Sequence, residues 1–212
     1  MNLLLSAGVL VAALSLCGLS ERLQGLTGSS NGSANSPTSN SSGLSSAKPE
    51  KPRLSSEQQS IVDAATETAW DDQGLSWKLP AGWKKMDVKK ESFNYQSPDN
   101  AFLLVNISVM PDNFPMEVSL NAYHEQALQQ LKNGKYEAVK LVEIDGIPGV
   151  EFVEAMPEDK SGPRRHQWIG YRNYLGQKQQ LNVMTTTKGT NFAKHTDDFQ
   201  AILYSMKSAG KQ

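Results

Sequence analysis

Few side chains in this chain are placed to do chemistry, and their spacing limits what they can do. Three histidines, His124, His166 and His195, are the candidates for a general base or a metal ligand. No two of them stand four residues apart, the interval that sets two imidazoles around a zinc ion on one helix face. His195 is followed three residues later by Asp198, so the two are neighbours on a helical turn. Packing or surface roles are the expectation for all three histidines. The only cysteine, Cys17, lies in an apolar N-terminal run, which leaves the rest of the chain without a thiol nucleophile, a thiolate ligand or a disulfide. A phosphate-cradling Gly-rich loop and a Gly-x-Ser-x-Gly elbow are both missing, and Ser, His and Asp stand at no diagnostic spacing. The expectation is a non-catalytic protein with no cofactor.

Recognition is the remaining chemistry. Arg164, Arg165 and His166, with Lys160 nearby, read as a small cationic loop, opposite in sign to Asp71-Asp72 and to Glu154, Glu158 and Asp159. Lys84-Lys85 follows Trp83, which comes directly after a Pro80-Ala81-Gly82 turn and is the tryptophan expected to be partly exposed. For docking onto an acidic partner or anionic lipid head groups, Trp83, Lys84, Lys85, Arg164, Arg165 and His166 are the candidate contacts. The plainer reading of 164–166 is a solvated polar loop. Trp77, Trp83, Trp168 and Tyr171 offer an aromatic surface, but strand aromatics more often fill a core.

The elements that must position these residues begin at Gly74-Leu75-Ser76-Trp77-Lys78-Leu79. Leu75, Trp77 and Leu79 alternate with polar neighbours, the period of a strand with one buried face. Further strands are expected at 84–90 (short or irregular), 92–95 and 101–110. The last is apolar enough to predict a central strand covered on both faces. Ser119 fits a helix N-cap, with Val118 and Tyr123 as a hydrophobic staple and Asn133-Gly134 as the stop. A strand at 136–144, a turn at Asp145–Gly149 and a strand at 150–155 form a hairpin. Strands at 166–174 and 179–187 follow, joined around Gly176, and a helix at about 191–207 carries Phe192, His195, Phe199, Ile202, Leu203 and Met206 on one stripe. The fold class is α+β, an antiparallel sheet with helices on its faces.

Ahead of this unit the chain reads as address and tether. Residues 3–19 are apolar apart from serines and glycines, a length between a cleaved signal peptide and a short membrane anchor. Leu14-Ser15-Leu16-Cys17-Gly18 is similar to a lipoprotein box with Cys17 as the lipidation site, although Leu16 stands where the box has a small residue. Residues 27–52 are Ser-, Gly- and Asn-rich and lack side chains that could build a core, so they predict a flexible spacer. Ser56 to Ala65 could form a short helix of marginal stability or continue the spacer. The organisation is therefore 1–20 signal or anchor, 21–69 linker, 70–208 folded domain. A formal charge of -1 and a pI of about 6.3 leave no basic excess for nucleic acid.

Four stretches together resemble the PsbP-like superfamily: Gly74 to Trp83, Asp145-Gly146-Ile147-Pro148-Gly149 with Glu151-Phe152, Trp168-Ile169-Gly170-Tyr171, and Phe199 to Ser205. The resemblance implies an antiparallel sheet between helices in an α/β/α sandwich, and a non-enzymatic accessory role. With the leader, it leads to an exported, membrane-tethered protein of the bacterial envelope or periplasm that binds a membrane-associated protein or assembly. The alternative is a small-ligand or metal-binding envelope protein using a pocket between sheet and helix, with His166 or His195 as polar contacts.

Overall fold

The computed structural model describes residues 48–209. The leader, Cys17 and most of the expected spacer lie outside the described residues. Among the described residues, no helix is long and apolar enough to cross a membrane.

The elements run α1 (Ser56–Ala64), β1 (Thr66–Trp70), β2 (Leu75–Leu79), β3 (Lys84–Val88), β4 (Ser92–Gln96), β5 (Phe102–Met110), α2 (Met116–Lys132), β6 (Tyr136–Ile144), β7 (Ile147–Glu154), β8 (Pro163–Tyr174), β9 (Gln177–Lys188), α3 (Gly189–Phe192), α4 (Thr196–Tyr204) and β10 (Lys207–Ser208). Seven strands form one sheet in the order β3-β4-β5-β9-β8-β7-β6, and β1, β2 and β10 form a second of three. All the strand pairs named are antiparallel. The fold is α+β, as the alternation of the sequence requires.

Two cores use the two faces of the large sheet. On one face Trp168, Leu181, Val183, Leu103 and Val105 pack with Trp70, Trp77 and Leu79 of the small sheet and with Ile202, Leu203 and Met206. On the other, Leu141, Val150, Phe152, Ile169 and Tyr171 pack with Leu120 and Ala127 of α2. Strand period explains the division, since odd and even residues of β8 point to opposite faces. The hairpins turn on two residues each: Asp145 (φ 47°) and Gly146 (φ 83°), then Leu175 (φ 49°) and Gly176 (φ 76°). Both residues of each turn sit in the left-handed region, the geometry that matches strand twist.

Several expectations change. The folded unit reaches upstream of Trp70: β1 pairs with β2 along its whole length, and α1 is a firm helix closed by a Ser55/Gln58 capping box. The Gln58 amide is buried and donates to Asp197 and Gln200, which fixes α1 to α4. β5 is central, but only one face is closed; Asn106 and Ser108 are exposed, because α2 covers β6, β7 and β8 and stops short of β5. α2 starts at Met116 behind Pro115, so Ser119 lies inside it and Val118 points to solvent. The predicted turn at Asp145–Gly149 shrinks to two residues, and Pro148 and Gly149 belong to β7.

The single C-terminal helix is instead broken. A 3-10 turn at Ala193–His195 separates α3 from α4, and Ser205 ends α4. Its Oγ donates to the Ile202 carbonyl (2.7 Å) and accepts from the Lys78 amide (2.9 Å), after which Lys207 and Ser208 pair with β2.

Candidate functional site

Strand β8 carries the chemistry of the molecule on one stripe. Arg164, His166, Trp168, Gly170, Arg172 and Tyr174 alternate along it and are all buried on the same face. Trp168 occupies the middle. Its indole lies over the paired glycines Gly149 and Gly170 and donates to the Val142 carbonyl at 3.3 Å. A Cβ at either glycine would come within 2.3–2.4 Å of the ring, so only glycine leaves room.

At the Arg164 end lies a buried polar cluster. Glu151 on β7 takes His166 Nε2 at 2.6 Å and accepts the Tyr204 hydroxyl at 2.9 Å on both oxygens. Burial first, then the Glu151 charge, holds the Tyr204 phenol protonated far above its ordinary range. Beside the cluster is a cavity of about 270 Å³ lined by Glu137, Arg164, Thr196 and Gln200. Arg164 donates from Nε to the Glu154 carbonyl at 2.7 Å, pairs with Glu137 and stacks 4.3 Å above Phe192. The carboxylate, phenol and imidazole are thus spent on one another and the guanidinium on Glu137 and the Glu154 carbonyl, which together tie β6, β7, β8 and α4.

The other end opens. β8 pairs with β9 as far as Tyr174, while its ladder with β7 ends at Gly170; Pro148 and Ile147 of β7 stand opposite Tyr171 and Arg172, so only Asn173 and Tyr174 run past β7 at the β6–β7 turn. Over this overhang lies a cleft of about 1000 Å³. Its walls include Met116 and Leu120 of α2, Leu141, Ile147 and Pro148 of the hairpin, and Tyr171 to Tyr174. Lys48, Glu117, Asn121, Asp145, Arg172, Asn173 and Ser208 also line it, and a cleft of this volume with apolar and polar walls has the proportions of a binding site.

Arg172 is the polar anchor of that cleft. It is buried, with Nε donating to Gln179 Oε1 (3.0 Å), Nη1 to Ser208 Oγ (3.3 Å) and Nη2 to the Gln73 carbonyl (2.7 Å). Its guanidinium lies 4.3 Å over the Tyr174 ring. Each of these acceptors is neutral, and burial pushes the guanidinium down to about 10.

The sequence candidates scatter. Arg164 and His166 do not form an exposed loop: they sit within β8 and face the core, because the strand begins at Pro163 and its period turns both inward. Only Arg165, between them, reaches the surface, where it meets Glu154 at 2.7 Å. Trp83 is half-buried against the core, while Lys84 and Lys85 are exposed on β3, the edge strand next to β4 and far along the sheet order from β8. The structure therefore does not gather the six into one surface. Cys17 lies outside the described residues. His195 is buried, stacked on Phe199 and held between Asp99 (3.2 Å) and Asp198 (3.3 Å). Among the described residues, no group of three or more His, Cys, Asp or Glu is placed to hold a metal. Trp77 and Trp168 are core residues, and Tyr171 is buried under α2 with its ring against Phe114.

Glu151, Tyr204 and Arg172 were not among the candidates. The signal for two of them was present: once Trp168 is placed on the core face, the period of two puts Arg172 beside it, and Glu151 between Val150 and Phe152 falls on the face opposite those two.

No protein-family model matches the sequence, and no curated protein matches it. Solved structures with a similar course of chain include LpqN of Mycobacterium tuberculosis, described as involved in cell envelope biogenesis (TM-score 0.49, 12% identity, 74% of this chain and 98% of that one). A cyanobacterial PsbP is also among them. That structure, from Synechocystis sp. PCC 6803, has a TM-score of 0.45 and 14% identity over 68% of this chain and 93% of its own. A protein from Bacteroides thetaiotaomicron VPI-5482 has a TM-score of 0.44 and 14% identity over 70% of this chain, which spans half of that protein's length. Likeness at this level says nothing of function.

Proposed function

We propose that this protein is a non-catalytic, exported binding module, held at a membrane surface by its N-terminal segment, that acts on a membrane-associated protein or assembly through the cleft at the end of β8. The observation that carries the reading is that cleft: about 1000 Å³, lined by apolar and polar side chains together, at the end of β8 where Asn173 and Tyr174 run past β7. The apolar leader and the Ser/Gly/Asn-rich stretch behind it supply the tether, which raises the local concentration of the domain for a partner in the same membrane. The test is in-cell crosslinking from a photoreactive residue at Asn121, which lines the cleft. A defined membrane-protein adduct is expected from Asn121 and none from Met86, exposed on β3. Equal adducts from both positions, or full-length protein found wholly in the soluble fraction with its leader intact, would overturn the reading.

The cavity beside His166 favours a second reading, a small-ligand-binding envelope protein. At about 270 Å³, with Arg164 and Gln200 on its wall, it has room for a small polar metabolite or a few waters. A thermal-shift screen with small anions and metabolites separates the two, because stabilisation that is lost in Gln200→Leu but kept in Asn121→Trp assigns the ligand to this cavity.

A further inference from the structure

On the face of the large sheet that carries α2, the ladders align one residue from each of six adjacent strands. Tyr136, Glu154, Arg165, Thr186, Phe102 and Gln96 form a row across β6, β7, β8, β9, β5 and β4. One step along the strands, Gln167, Met184, Leu104 and Asn94 repeat the crossing on β8, β9, β5 and β4. At one end of the strip, Tyr136, Glu154 and Arg165 line a cavity of about 650 Å³, walled by Tyr123, Gln126 and Gln130 of α2. At the other end the strip is open, because α2 packs on β6, β7 and β8. The cavity lies by the C-terminal half of α2, away from the cleft at its N-terminal turns.

Net charge is absent from this strip. Glu154 and Arg165 pair with each other at 2.7 Å, and the cavity wall adds one exposed residue of each sign, Lys135 and Glu158. Aromatic rings, amides and a few aliphatic side chains make up the rest, so nothing here favours an anion or a cation.

The amides have hydrogen-bonding capacity left over. Among the described residues, the buried side-chain oxygens without a hydrogen-bond partner are Asn94 Oδ1 and Gln130 Oε1, and both lie along the strip. Unpaired acceptors need donors. Both side chains are only partly buried, so rotation can turn each oxygen toward a ligand. Gln96 and Gln167 donate their amide nitrogens to Asn100 (3.0 Å) and Asn182 (2.7 Å), which leaves their own oxygens free to accept.

Size narrows the occupant further. Six strands about 4.8 Å apart make the strip about 24 Å long, and two rows make it about 14 Å wide, a footprint of about 300 Å². A stable protein partner covers about 800 Å² of each surface. The strip is too small for a docked domain and too long for one small metabolite.

We propose that it binds an uncharged, extended oligosaccharide. A sugar ring has C–H bonds on its faces and hydroxyls at its rim, so it takes aromatic surface from Tyr123, Tyr136 and Phe102 and paired donors and acceptors from the planar amides. Its hydroxyls supply the donors that Asn94 and Gln130 lack. A peptide strand would need a sheet edge for its main chain, whereas this strip is a face whose backbone groups are already paired in the ladder.

The experiment uses the full chain and four probes: cellotetraose and tetra-N-acetylchitotetraose as neutral sugars, tetragalacturonate as a charged one, and a proline-rich decapeptide. Binding is followed by calorimetry and by backbone NMR shifts. At least one neutral tetrasaccharide is expected to bind, at least about tenfold more tightly than its own disaccharide, with the largest shifts at Tyr136, Thr186 and Phe102. Phe102→Ala removes one ring and should weaken binding about two- to tenfold. Should that variant fail to fold, Gln126→Ala, an exposed change on α2, should weaken binding about two- to tenfold through its lost hydrogen bond.

Asn121→Trp, in the separate cleft, should leave sugar binding unchanged; loss of binding there moves the ligand to that cleft and overturns this site. No binding of either neutral sugar, equal binding of tetragalacturonate, or binding of the peptide alone overturns the proposal. Crosslinking from Asn121 that fails while sugar binding holds overturns only the function proposed for the cleft.

Discussion

Replacing Gly149 by alanine tests the packing unit on which both ends of the β8 stripe depend. The new methyl carbon would stand 2.3 Å from Cε2 of Trp168, where ordinary carbon contacts are no closer than about 3.4 Å. Something must move by about 1 Å. The indole is fully buried, with its Nε1 on the Val142 carbonyl, and Gly149 is pinned in the ladder between Val142 and Gly170. Neither can slide freely. Overpacking of this kind costs about 1–3 kcal/mol, and the reduced freedom of the unfolded chain returns about 0.4–1 kcal/mol. The expected net loss is therefore about 0.6–2 kcal/mol for Gly149→Ala. It is about the same for Gly170→Ala, whose Cβ would also meet the Pro148 carbonyl at 3.0 Å.

Urea denaturation followed by Trp fluorescence reads the loss as a lower midpoint with an unchanged slope. The mechanism is isolated by repeating Gly149→Ala in a Trp168→Leu background, where the clash is gone and the cost should fall below about 0.5 kcal/mol. If Gly149→Ala is neutral, or costs as much without the indole as with it, the packing argument is wrong.

Other outcomes follow from the same geometry. Tyr204→Phe removes the donor to both Glu151 oxygens and should lower stability by about 1.5–3 kcal/mol, with Glu151→Gln partly restoring it in the double variant; chemical denaturation of the three proteins checks this. Asp99 is held down to about 2, first by its hydrogen bond from Lys194 and then by Ser97, so its contribution is complete above its ordinary value of 3.8 and disappears as pH falls through 2. Since the side chain is 41% exposed, Asp99→Asn should flatten the acid limb of the stability curve by no more than about 1 kcal/mol. Deleting residues 1–47 should leave the urea midpoint of the domain unchanged, whereas deletion through Trp70 removes α1 and β1, takes the Trp70 ring out of the core and should abolish cooperative unfolding. Lys84→Glu with Lys85→Glu should change stability by less than about 0.5 kcal/mol, as measured by urea denaturation.

The alternation of Leu75, Trp77 and Leu79, the apolar run of β5, the paired strands β8 and β9 and the two-residue turns ending in Gly146 and Gly176 are local in origin. Side-chain period and left-handed turn residues act within a few positions, so the sequence alone determined the α+β class and most strand positions. The same locality misled it at Arg164 and His166. Charge and a neighbouring polar run suggested a loop there, while the ladder with β9, remote in sequence, carries β8 back to Pro163 and turns both residues inward. What tertiary structure decided is which distant groups meet. Glu151, His166 and Tyr204 converge from three elements, and Asn173 and Tyr174 run past the sheet's β7 side because β7 begins at Ile147, level with Arg172, two residues short of the end of β8. Relative strand lengths across a sheet are a global register, set by every pairing at once, and no single stretch of sequence encodes them.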